Sequence, residues 1–227
     1  MCARAPVTDR EVAAVDHPVF DHEGPWTESA FLALPRDGRV EVVDGTLLIG
    51  PGATEQRTRV VSRVRAAVRS ALPEGLQVRG PVPLRLGTDC VLVPDLVVTA
   101  APGDGEDVPE VSDDVLDAAA ALMVIEVVGS DHGVTDRSFK PQLYARSGIP
   151  YSLVIDHDGP FAVADMIISG RYHEYARAGD GEQLRIEEPF VLELDLATVT
   201  RPGAEQSRAD PPARATTDPE RLAGRGA

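Results

Sequence analysis

The chain has 227 residues, 43% of them apolar, two cysteines and a formal net charge of −15. This length and apolar share suit one ordinary domain with tails, and no apolar run approaches the ~20 residues of a membrane span or forms a signal peptide. Cys2 and Cys90 make neither a disulfide framework nor a zinc motif, which suits a reducing cytoplasm, and the strong acidity opposes long-range attraction of nucleic acid.

Residues 1–25 lack sustained periodicity and are expected to form a flexible N-terminal arm. A folded domain is expected over 26–200. Residues 201–227, with repeated Pro, Ala, Arg and Asp, are expected to form a disordered tail. Thr27 is placed to cap a short helix through Leu34, with Glu28 in its first turn. The stretch 39–49 reads as two short strands around Asp44-Gly45, a hairpin signal. From Thr54 to Leu72 the period changes: Val60, Val64, Ala67, Val68 and Ala71 line one face of a helix that Pro73 and Gly75 terminate.

Strands are expected over 76–86 and 90–99, followed by an exposed loop rich in Asp, Gly and Pro over 101–118. The run from Ala121 to Val128 reads as a buried strand, followed by a helix to Arg146 that Gly148 and Pro150 stop. Tyr151–Asp156 is another buried strand, and shorter strands alternate to about Leu196. Strand, helix and strand in this order imply a crossover unit within a mixed sheet.

Two carboxylates interrupt the apolar strands, Asp95 in Val91–Val98 and Glu126 in Ala121–Val128. Each costs several kcal/mol to bury alone, so the pair suggests a common centre such as a hard divalent cation provides. Lys140 is the one lysine among 22 basic residues. An amine shifts its pKa on burial as a guanidinium does not. Pro141 puts Lys140 at a helix entrance, near the carboxyl end of the Glu126 strand. Arg57, Arg59 and Arg63 lie along the first long helix as candidate phosphate contacts, with a solvated arginine face as the plain alternative. His132 falls between the motif segments, within reach of the same centre.

Glu41 before Asp44-Gly45, Asp95 after Pro94, Glu126 closing its apolar run, and Lys140 before Tyr144 and Gly148-Ile149-Pro150 form an ordered set. In this order and spacing the chain resembles the Uma-two type branch of the PD-(D/E)XK restriction-endonuclease-like superfamily, over roughly residues 27–195. The resemblance implies an α/β fold, a restriction-endonuclease-like mixed β-sheet flanked by helices. It also implies a Mg2+ (or Mn2+) site made by Asp95 and Glu126 with Glu41 contributing. Val128 stands where the superfamily places its lysine, so the amine falls to Lys140. Arg57 stands where members commonly have a histidine, and Gly129 where they commonly have a serine.

The expected function is that of a metal-dependent endonuclease hydrolysing DNA phosphodiester bonds, with Glu41, Asp95, Glu126 and Lys140 as catalytic residues. Arg57, Arg59, Arg63 and His132 are the expected substrate contacts. The alternative is a small-molecule enzyme on the same fold, performing acid–base dehydration, addition or cyclisation. The expected partners are therefore DNA or a small-molecule substrate, with no membrane; the expected location is cytoplasmic, and a homodimer is left open.

Overall fold

The computed structural model describes residues 22–35, 39–50, 52, 54–102, 115–129 and 135–201. Most of the expected arm and nearly all of the expected tail lie outside them, as does His132.

Helix α1 (Glu28–Leu32) starts where Thr27 accepts a hydrogen bond from the Ala30 amide at 3.2 Å. Strands β1 (Arg39–Val43) and β2 (Thr46–Gly50) form the hairpin, with Asp44 and Gly45 both at positive φ, 48° and 72°. That is the backbone a tight hairpin turn demands. Helix α2 (Glu55–Ala71) is capped by Thr54 and buries Val60, Val64 and Val68.

The next strands are shorter than the sequence suggests. In place of 76–86 there are β3 (Leu76–Arg79) and β4 (Leu84–Gly87), separated around Gly80 and Pro81. In place of 90–99 there are β5 (Cys90–Leu92) and β6 (Leu96–Ala100). Pro94 has no amide to give to a ladder, and the Val93 amide is drawn aside to Glu41 Oε1 at 2.8 Å. Asp95 therefore stands at a junction between two sheets rather than inside one strand.

After β7 (Leu116–Asp117) come the long strand β8 (Ala121–Val128), a π-helical turn over Thr135–Phe139, helix α3 (Lys140–Arg146) and β9 (Tyr151–Asp156). Strands β10 (Phe161–Ile168) and β11 (Arg171–Ala178) extend the sheet, and β12 (Gln183–Ile186), β13 (Leu192–Asp195) and α4 (Leu196–Thr200) finish the fold.

A six-stranded mixed sheet in the order β11-β10-β9-β8-β6-β3 is the centre of the molecule, and a five-stranded sheet, β2-β1-β5-β4-β7, lies over part of it. The pairing of β8 with β9 is parallel, which makes β8-α3-β9 the expected crossover. One face of the six-stranded sheet carries Leu96, Val98, Met123, Ile125 and Val127 against α2, β12, β13 and α4. The other face carries Val97 and Val124 against Val43, Leu84, Leu92 and Tyr144. Alternation along β8 sends Glu126 to this second face, with Val124. Alternation along β1 sends Val40 and Val42 outward to Trp26 and Phe31, so Arg39, Glu41 and Val43 point inward. Acids from two sheets thus meet in one seam.

Candidate active site

The seam holds Arg39 and Glu41 from β1, Asp95 from the β5–β6 junction, Glu126 from β8, Arg57 from α2, and Lys140 and Tyr144 from α3. Lys140 is the first residue of α3 and Tyr144 follows it by four, so both lie on one helical face. Glu126 and Lys140 are each 1% exposed. Four of the expected residues, Glu41, Asp95, Glu126 and Lys140, are brought together, and Arg57 joins them.

The contacts pair every charge. Lys140 Nζ is 2.7 Å from Glu41 Oε1 and 3.5 Å from Glu126 Oε1. The Tyr144 hydroxyl donates to Glu126 Oε1 at 2.6 Å. Arg39 donates to Glu126 Oε2 at 3.1 Å, and the same nitrogen is 3.7 Å from Asp95 Oδ1. Asp95 Oδ1 also accepts from Arg57, and Asp95 Oδ2 accepts from the Val127 amide at 2.7 Å. Arg57 Nε donates to the Val127 carbonyl at 3.0 Å. Three carboxylates thus face three cations in a desolvated space.

Burial dominates the protonation of Glu126. Lys140 and Arg39 favour the carboxylate, Asp95 and Glu41 oppose it, and desolvation is larger than any of these, so its pKa rises to about 7. Desolvation and the neighbouring acids push the Tyr144 hydroxyl well above its ordinary value, so it stays a donor.

Among the described residues no three His, Cys, Asp or Glu side chains converge as a ready-made cation cage. Two cationic nitrogens are shared between carboxylates: Lys140 Nζ between Glu41 and Glu126, and an Arg39 nitrogen between Asp95 and Glu126, while Glu41 also holds the Val93 amide. The sequence gives Arg39 no site role, and Tyr144 only a place in the ordered set after Lys140. Tyr144 carries a signal there, its i+4 spacing from Lys140, while Arg39 is signalled only by falling in phase with Glu41.

The remaining expected contacts stand elsewhere. Arg59 pairs along its own helix with Glu55. Arg63 donates to the carbonyls of Thr198, Val199 and Arg201, at 3.4, 3.3 and 2.7 Å, and so closes the end of α4. His132 lies outside the described residues. A hollow of about 420 Å³ runs along α3 against the β10–β11 turn, lined from Pro141 and Gln142 to Arg146 on the helix and by Arg171 and Tyr172 on the turn side.

Among known proteins, the model of the family Uma2, described as "Putative restriction endonuclease", matches residues 28–199. A comparison with curated proteins found no match. Among solved structures, the chain is similar to one from Anabaena variabilis described as "a putative nuclease belonging to DUF820". That match has a TM-score of 0.61 and 16% identity, and covers 78% of this chain and 98% of the other. It establishes the restriction-endonuclease-like mixed sheet, and the family match over 28–199 includes Arg39, Glu41, Arg57, Asp95, Glu126, Lys140 and Tyr144.

Proposed function

The chain belongs to the Uma2 family, and from that premise we propose that it is a metal-dependent endonuclease hydrolysing DNA phosphodiester bonds, with a PD-(D/E)XK-type centre of Asp95, Glu126 and Lys140. One observation carries the reading: two buried carboxylates, Glu126 on β8 and Asp95 at the β5–β6 junction, approach a single cationic nitrogen at 3.1 and 3.7 Å. Arg39 stands in for the cation that such a pair of hard oxygen donors suits. Magnesium is commonly held by one or two carboxylates together with substrate phosphates, so the Asp95–Glu126 pair suits it while Glu41 is held by Lys140.

Asp95 and Glu126 would hold the Mg2+ or Mn2+ ion, which when bound polarises a phosphoryl oxygen and acidifies a water. The chain's own groups do the rest. The Val127 amide and Arg57 fix the Asp95 carboxylate, and Tyr144 fixes one oxygen of Glu126. Glu41 holds the Lys140 amine in place, where its charge offsets the negative charge that develops on the phosphoryl group. Arg39 now neutralises Asp95 and Glu126, and a divalent ion held by that pair in its place would leave the centre positive. That supplies local attraction for a phosphodiester in a chain whose total charge is −15.

The raised pKa of Glu126 supports a second reading, a small-molecule enzyme in which Glu126 exchanges a proton with substrate near neutral pH. Binding of a short DNA duplex separates the two, with Ca2+ replacing Mg2+ to hold back cleavage. The nuclease reading expects affinity to fall steeply from low to physiological salt as counterions are released. Absence of any complex at low salt would sink it and leave the acid–base enzyme.

A further inference from the structure

Arg79, the last residue of β3, is 6% exposed, yet its Nε is sealed from solvent without an acceptor. Among the described residues no carboxylate pairs with it, whereas buried Arg57 has Asp95 and near-buried Arg39 has Asp95 and Glu126. A buried Nε–H left without an acceptor weakens a fold unless a ligand completes it.

Its position is fixed by the sheet. Val78 packs in the α2 cluster, so Arg79 projects from the opposite face. Register places Arg79 opposite Val97, and Val97 opposite Val124, in one row across β3, β6 and β8. Glu126 is two residues farther along β8 on that same face. Two strand spacings across and two residues along put the α-carbons of Arg79 and Glu126 about 12 Å apart. The next residue, Gly80, presses on the centre itself. A β-carbon there would lie 2.3 Å from the Asp95 carbonyl oxygen and 2.9 Å from the Leu96 α-carbon, and φ is 143°. Arg65 holds the Gly80 carbonyl from the helix side. The end of β3 is thereby locked to the backbone of Asp95.

We propose that Arg79 is the anion-binding residue of a phosphate subsite beside the Asp95–Glu126 centre, taking a phosphate that neighbours the one acted on. Naming that phosphate as part of a DNA strand rests on the nuclease reading; the anion site does not. Arginine's planar fork suits two oxygens of one phosphate.

The test is thermal unfolding of the full chain with and without inorganic phosphate at constant ionic strength, for wild type and Arg79→Met. The expected result is that the substitution leaves the free protein at least as stable and that phosphate raises the unfolding temperature of wild type alone. With a short duplex and Ca2+, the variant should bind about tenfold more weakly, and the salt slope should fall by about one. Equal protection of both proteins by phosphate would overturn the proposal. Should Arg79→Met fail to fold, Arg79→Lys carries the test: a reduced phosphate response supports the subsite, and an undiminished one overturns it. Phosphate protection specific to wild type, with no duplex binding at any salt, would leave the anion site standing and remove the nuclease reading.

Discussion

Replacing Lys140 by methionine preserves an unbranched side chain and deletes its charge. The amine lies 2.7 Å from Glu41 and 3.5 Å from Glu126 at 1% exposure, so water cannot take its place without opening the seam. Breaking a buried pair from one side costs about 3–5 kcal/mol, because the partner charge remains. For a folded region of this size that lowers the unfolding temperature by roughly 10 °C.

The loss depends on pH in a defined direction. Glu126 has its pKa raised from 4.5 to about 7, first by burial, with Lys140 as the strongest opposing influence. A carboxyl raised in the folded state binds its proton more tightly there than when unfolded. Its contribution to stability is therefore greatest below about 4.5 and declines as pH rises to about 7, by roughly 3 kcal/mol in all. Without Lys140 the pKa moves higher, and the decline continues above pH 7. Urea unfolding at pH 5 and pH 8 measures both effects, and Lys140→Met combined with Glu41→Gln should recover part of the loss. A cost below about 1 kcal/mol at pH 8, with no added pH dependence, would refute the buried-pair argument and put Lys140 among screened surface charges.

Tyr144→Phe removes only the hydroxyl that donates to Glu126 at 2.6 Å, and should destabilise by about 1–3 kcal/mol in urea unfolding; no change would show that water replaces the donor. Arg39→Ala should tighten Mn2+ binding in calorimetric titration, since it removes the cation that already bridges Asp95 and Glu126; weaker binding would refute the stand-in role. Arg63→Ala should cost about 1 kcal/mol through the carbonyls at the end of α4. It should leave the salt slope of duplex binding unchanged, whereas a slope lower by about one would return Arg63 to the phosphate contacts.

The hairpin, α2 and the β8-α3-β9 crossover follow from local patterns: Asp44-Gly45, the Val60-Val64-Val68 stripe, and an apolar run followed by a helix. The site was legible where a charge broke such a pattern, as Asp95, Glu126 and the single lysine do. It was only half legible where a charged residue kept the pattern. Arg57 precedes Val60 by three and continues the buried stripe of α2; the sequence offered it as a substrate contact, whereas it is engaged by Asp95. Arg39 alternates with Glu41 on β1, and strand phase alone does not say which sheet will cover that face. The split of 90–99 needed the Val93 amide to find Glu41, a contact 52 residues apart in the chain. Pro94 marked the place without marking the partner.

Cleavage of a DNA duplex with Mg2+ or Mn2+ tests the central claim most directly, comparing wild type with Asp95→Asn, Glu126→Gln and Lys140→Arg after unfolding curves confirm that each is folded. Arginine preserves the charge at 140 but is forked, larger and unable to deprotonate. The account predicts cleavage by wild type, its loss in both carboxylate variants, and loss of most of it in Lys140→Arg. Cleavage that survives Asp95→Asn combined with Glu126→Gln, or wild type that binds duplex and cleaves it with neither ion, would contradict the account.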